Sequence, residues 1–275
     1  MTQTLIHTPS SPSWLKHAAR AQSLSGKIWF LCAAAGQLMF VYYILAAYIP
    51  RSWGGQFERW NETGLITGHV PGDGIGNLMF ITHVLLAAVM TLAGLMQLTP
   101  MIRNRARGLH RLSGRVFLVL AVYLAVGGAI MIWTRDARLN DITGLATTLD
   151  AVLIVFFAGM ALHYARKRQI NRHRPWAMRL FIAASAVWFI RIFYSAWFLS
   201  TGGAGVTASM DGWFDYAVSY GAYLLPLAVL ELYLIAQASR SVRLKLTSAL
   251  VTLAGAGVIA LGGVGATLIM WGPHL

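Results

Sequence analysis

Acidic residues are scarce in this 275-residue chain: 9 Asp and Glu stand against 22 Lys and Arg, and charged residues of both signs make up only 11%. A soluble domain carries roughly 25% charged residues, so a helical bundle of this composition lacks the polar faces to meet water. Cysteine is scarcer still. Cys32, the one cysteine, lies inside an apolar run, excludes an intramolecular disulfide and says little about redox compartment. A secretory leader is not expected, because the first apolar run follows about 27 polar and mixed residues and is too long for a signal h-region. The basic excess, a formal +13, would suit a nucleic-acid binder only as a basic face on a soluble fold. Here Lys and Arg fall in short clusters between long apolar runs. Nucleic acid is therefore not an expected partner, and the clusters read as topology signals.

What is abundant is apolar sequence, 57% of residues. Seven runs, 28–49, 78–100, 112–133, 146–165, 176–199, 216–238 and 246–271, are long enough to cross about 30 Å of hydrocarbon. The expected fold is an all-α integral membrane protein, a seven-helix bundle over 28–271 preceded by a cytoplasmic segment 1–27. Basic residues cluster at Lys16, Arg20 and Lys27, at Arg103, Arg105 and Arg107, at Arg166, Lys167, Arg168 and Arg172, and at Arg240, Arg243 and Lys245. All four clusters fall on one side of a seven-span zigzag. Positive-inside bias places that side and the N terminus in the cytoplasm, and the C terminus on the periplasmic side. Glu58, Glu62, Asp73, Asp136, Asp141 and Asp211 fall in the opposite connections.

The outer loop 50–77 contains Trp53, Phe57 and Trp60, which suit a short amphipathic element at the outer interface, and a "PGDGIG" turn. Pro175 is expected to open the fifth span and Pro226 to kink the sixth. The last span carries Gly255, Gly257, Gly262, Gly263 and Gly265. Small residues let helices approach closely, so this run is a packing face or a contact for a homo-oligomer or membrane partner.

The zigzag also assigns depths. At 1.5 Å per residue, His83 and Asp150 lie about 8 Å, and Arg191 about 12 Å, inside the outer ends of their spans. Ionisable side chains are costly in lipid, so all three are expected to face inward, with Asp150 and Arg191 paired and His83 beside them. They are the catalytic or transport candidates.

The inner level is richer. His110, Arg111 and Arg115 begin the third span, His163 ends the fourth, and His173, Arg174 and Arg179 begin the fifth, while Glu231 enters the inner half of the sixth. Arg111 and Arg115 are i,i+4 neighbours, and helix N-termini at the same level present N–H groups. The cluster is a place for negative charge: phospholipid phosphate, haem propionates, a quinone carbonyl or an anionic substrate. His110 and His173, with His163 as alternate, can ligate one b-type haem axially. A second haem lacks ligands, since the outer level offers His83 alone within a helix. A di-iron site is disfavoured by the absence of clustered HxxHH motifs and by few membrane carboxylates.

His83, "GLMQLTPMIRNRARGLHRLSGR" over 94–115, "HYARKRQINRHRPWAMR" over 163–179 and "WFIRIFYSAW" over 188–197 together resemble the bacterial membrane family known as domain of unknown function 2306 (DUF2306). The family pattern falls on His83, Gln97, His110, Arg111, Gly114, Arg115, His173, Arg174, Trp176, Met178, Arg179 and Arg191. Leu98 stands where an aromatic is more usual, and Pro175 and Ala177 alter the spacing around Trp176. The resemblance covers mainly 78–200. It implies a multi-pass protein of the bacterial inner membrane and a recurring residue set, and names no reaction.

Three functional classes follow. A redox membrane protein would bind one b-type haem or a quinone through His110, Arg111, Arg115, His173, Arg174 and Arg179. A proton-coupled transporter would use His83, Asp150 and Arg191. An accessory or assembly subunit would dock through the glycine-rich last span.

Overall fold

The computed structural model describes residues 13–63 and 66–275. The first twelve residues of the expected N-terminal segment, and residues 64 and 65 of the outer loop, lie outside the described residues.

Helix α1, Ser13–Trp53, starts well before residue 28. Its polar first half continues the helix because one face is buried: Gln22 Nε2 donates to the Tyr233 carbonyl at 2.9 Å and to Ser248 Oγ at 3.4 Å. Helix α2, Gly74–Leu98, is capped by Asp73, whose Oδ1 accepts from the Gly76 N–H at 2.9 Å. Pro100 then opens a separate short helix, α3, Pro100–Arg105. A missing N–H costs nothing at that position. Helices α4, Arg107–Thr134, and α5, Asp141–Arg166, follow, the latter started by an Asn140–Thr143 capping box.

The fifth expected span is two helices, α6, Ile170–Ala184, and α7, Ala186–Thr201, bent by 57° at Ser185. Pro175 lies inside α6 and does not open it, because the helix begins at Ile170. At the bend, Gln37 of α1 donates from Nε2 to Ser185 Oγ at 3.0 Å. Gly36 lies against the Trp188 indole, where a Cβ would come within 2.8 Å. Helix α8, Trp213–Ala238, contains Pro226. Its last carbonyls are capped by Lys245, whose buried Nζ donates to Ala236 at 2.7 Å and Gln237 at 3.3 Å. Helix α9, Val242–Gly265, continues into a π turn, Ala266–Trp271.

These contacts order the bundle. Gln22, Tyr233, Ser248, Ala161 and His173 mark one end, which carries the basic connections. Arg51 meets the His274 carbonyl at 3.3 Å at the other. The α6–α7 pair starts beside Ala161 and finishes with Ile192, Ser195 and Leu199 against Gly262 and Gly265 of α9. Among the described residues six helices are long and apolar enough to cross a membrane, and the bent pair makes seven when counted as one span.

Part of the glycine-rich face is thereby used inside the chain. A Cβ on Gly262 would collide with the Ile192 carbonyl, whereas Gly257 and Gly263 have open space. The outer loop also folds back. Trp53 is 90% exposed, but Trp60 is 4% exposed and packs on Phe57 and Phe80, so Trp60 anchors the loop to the bundle and not to the membrane interface. Arg135 holds this loop from the end of α4, donating to Asp73 Oδ2 at 2.9 Å and to the Gly68 carbonyl at 3.1 Å.

Candidate functional site

Asp150 belongs to the buried stripe of α5, with Ala146 and Ile154 one turn either side. The helical period that buries those apolar side chains buries the carboxyl with them, at 6% exposure. Its Oδ1 has no hydrogen-bond partner among the described residues. The group facing it is Tyr223, brought by the buried stripe of α8 that also contains Val218, Ala222 and Leu227. Tyr223 is 1% exposed, its hydroxyl has no hydrogen-bond partner among the described residues, and it lies within the electrostatic reach of Asp150. A buried polar atom without a partner costs about 1–3 kcal/mol, so α5 and α8 carry two such costs at one place.

Arg191 and His83 share the expected depth but not this place. No ion pair joins Arg191 to Asp150 among the described residues. Its Nη1 donates to the Val187 carbonyl at 2.9 Å and its guanidinium lies 5.2 Å from the Phe40 ring centroid, with Tyr43 and Tyr48 of α1 in electrostatic reach. His83 faces α4, where a Cβ on Gly128 would stand 3.3 Å from its Cε1. The expected trio is therefore three separate locations: α5 with α8, α7 with α1, and α2 with α4. Depth follows from counting residues along a span. Direction around the helix axis depends on which neighbour each span meets.

At the basic end the side chains sort differently. Arg179 does not face open space: Nε donates to Glu231 Oε1 at 2.6 Å and Nη2 to Oε2 at 2.8 Å, with the guanidinium 4.4 Å from the Trp176 ring centroid. The carboxylate of α8 thus takes the cation that the sequence offered to an anionic ligand. Arg111, Arg115, Arg174 and His163 are exposed at the rim, with Arg174 in electrostatic reach of Tyr233. Such exposure suits lipid phosphate better than a buried propionate.

The two inner histidines are better held. His173 Nδ1 lies 2.9 Å from the Ala161 carbonyl. When Nδ1 carries the proton this contact is a hydrogen bond and leaves Nε2 with its lone pair. His110 is within electrostatic reach of His173 and Arg103, and its Nδ1 is buried without a hydrogen-bond partner among the described residues. Gln97 pins the start of α4 by donating to the His110 carbonyl at 2.8 Å and to Ser113 Oγ at 2.6 Å. Gly114 makes room for it, since a Cβ there would meet Gln97 Oε1 at 2.8 Å. Among the described residues no three His, Cys, Asp or Glu side chains gather in a group able to hold a metal ion.

A further network was not evident in the sequence. Asp215, fully buried, accepts from the Tyr194 hydroxyl at 2.7 Å and from the Thr207 and Gly212 N–H groups at 3.1 and 2.9 Å, tying the α7–α8 connection to the bundle. Its position in the first turn of a helix was the available signal. Asp73 and Asp211 lie in connections outside the spans. The Gly76 N–H, and then Arg135, hold the Asp73 carboxyl below its ordinary pKa, and the hydroxyls of Thr207 and Ser209 do the same for Asp211.

No curated protein and no solved structure matches this chain. A family match does exist, to the one described as predicted membrane protein (DUF2306), over residues 80–235. That stretch contains Gln97, Gly114, both inner histidines, Asp150, Arg179, Arg191, Tyr223 and Glu231. With long apolar helices throughout and more than half of its length matched, the chain is a multi-pass membrane protein belonging to the DUF2306 family.

Proposed function

We propose that this protein is a proton-coupled transporter in which Asp150 is the group that takes up and releases the proton. The observation that carries this reading is a buried carboxyl oxygen without a hydrogen-bond partner among the described residues, inside a spanning helix and facing a tyrosine hydroxyl in the same condition. An ionisable side chain within a membrane is retained at a cost, and proton relays are a common reason. Tyr223 offers Asp150 either a donor or an acceptor as its protonation changes. Arg191, without an acidic partner among the described residues, places a positive charge on α7, which packs against α8. The bend at Ser185 lies between the Arg179–Glu231 pair and Arg191, which suits a helix whose halves move separately. The reading includes seven crossings, with the N terminus cytoplasmic and the C terminus on the opposite side.

Purified protein in sealed liposomes containing a pH dye tests it. Under an imposed proton gradient the wild type acidifies the lumen, and Asp150→Asn abolishes the flux while remaining folded. Equal flux from both proteins contradicts the reading.

A second reading, a redox protein with one b-type haem or a quinone at the inner histidines, is favoured by the contact of His173 Nδ1 with a backbone carbonyl and by the unpartnered His110 Nδ1. Their imidazoles would hold the group, with the rim arginines on its charged edge; a haem would supply one-electron chemistry. A reduced-minus-oxidised spectrum lost in His110→Ala and His173→Ala, and intact in His83→Ala, supports it. Colourless protein made with ample haem removes the haem version.

A further inference from the structure

Helices α2 and α4 leave a groove of about 370 Å³ between them, within the range of small-molecule sites. Met79 and His83 line one wall, and Tyr123, Val126, Gly127 and Ile130 the other. Tyr123, Val126 and Ile130 are 46–49% exposed on a spanning helix, so the groove opens sideways into lipid and not toward either aqueous face. Glycine creates it: Gly127 has nothing within 4 Å of where a Cβ would stand. At 1.5 Å per residue His83 lies about 14 Å along α2 from Gly74, within the spanning helix and away from both of its ends.

His83 itself decides what fits. It has no hydrogen-bond partner among the described residues, and its imidazole is the main polar group of an otherwise apolar concavity. A phospholipid tail would fill the space and leave the imidazole unsatisfied. A charged headgroup would have to be drawn into hydrocarbon. An uncharged ring with a carbonyl or hydroxyl satisfies the imidazole, which offers one donor and one acceptor, and its apolar body covers Met79, Val126 and Ile130.

We infer that this groove binds the headgroup of a membrane-dissolved isoprenoid quinone, with one ring oxygen hydrogen-bonded to His83. The site is separate from Asp150 and from the inner histidines, and stands or falls apart from both readings above.

The test uses the full chain in nanodiscs of phosphatidylethanolamine and phosphatidylglycerol, a photoreactive short-tail benzoquinone, and mass spectrometry of the labelled peptides. Label is expected on the 79–83 and 122–131 segments, displaced by unlabelled decyl-benzoquinone. His83→Leu should weaken that competition at least tenfold, and Gly127→Leu, whose Cβ enters open space, should abolish the label while the melting temperature holds. Label that is not displaced, that survives Gly127→Leu, or that maps to the rim near His110 and His173 overturns the inference. So does displacement by oleic acid but not by the quinone.

Discussion

Arg179 and Glu231, 52 residues apart in sequence, form a two-pronged ion pair between α6 and α8, at 2.6 and 2.8 Å. The pair sits on the basic side of the Ser185 bend, and Trp176 covers one face of the guanidinium. It therefore fixes α6 to α8 while leaving α7 to other contacts. Charge-assisted hydrogen bonds of this kind contribute about 1.5–3 kcal/mol. Glu231→Gln is expected to lower stability by about 1–3 kcal/mol, because the guanidinium loses its counter-charge. Arg179→Met with Glu231→Met should cost less than either single change. Thermal melts of the purified proteins in one detergent measure this, and a double variant that costs more than either single contradicts it.

The glycines of α9 should divide by what they touch. Gly262→Ala drives a Cβ into the Ile192 carbonyl of α7, and backbone cannot yield as a side-chain tip can. Gly257→Ala enters open space. The first is expected to separate α7 from α9 and lower stability by about 2 kcal/mol or more. The second should be neutral within about 0.5 kcal/mol. Equal melting temperatures for the two variants would show that α9 is not packed on α7 as described.

Much of this architecture was legible in the sequence, because crossing a membrane demands a long apolar run and each run announces itself. That Asp150, His83 and Arg191 fall within the apolar runs was legible for the same reason. Their partners were not. Tyr223 reads as one aromatic among many in an apolar run, and only packing of α8 on α5 turns it toward Asp150. The bend at Ser185 has no proline or glycine to mark it and rests on Gln37 and Gly36 of a distant helix. Arg179 was legible as a cation at the start of the fifth span, and Glu231 as an acid in the inner half of the sixth, but the bond between them depends on the rotation of both helices. The early start of α1 was hidden because its polar half is stabilised by contacts with Tyr233 and Ser248 and not by lipid.

The outer loop should respond to acid through Asp73. Its carboxyl is held below its ordinary pKa by the Gly76 N–H and then by Arg135. A depressed folded-state pKa contributes stability above the ordinary carboxylate value, and that contribution disappears as pH falls through the depressed one. Protection of the 66–77 segment against hydrogen exchange, relative to the intrinsic rate at each pH, is therefore expected to fall below about pH 4. Asp73→Asn should exchange faster at neutral pH and lose most of this acid dependence. An unchanged acid limb in Asp73→Asn would assign the response to another group.

Topology gives an independent expectation. A reporter fused after Leu275 should act as a periplasmic one, and a reporter fused in the α5–α6 connection near Arg168 as a cytoplasmic one. Both fusions reporting from the same side, as stable full-length products, would show that the α6–α7 pair does not complete a crossing with its neighbours as proposed.

The central claim, that Asp150 carries the proton, is tested most directly by a membrane-permeant carbodiimide, which reacts with protonated carboxyls buried in lipid. Protein in liposomes is treated for increasing times, and labelling at Asp150, quantified by mass spectrometry, is compared with the remaining proton flux. Asp150 is expected to be the main labelled acid within the spans, with flux falling in proportion to its modification. Complete labelling of Asp150 with undiminished flux would contradict it, as would flux lost while Asp150 stays unlabelled.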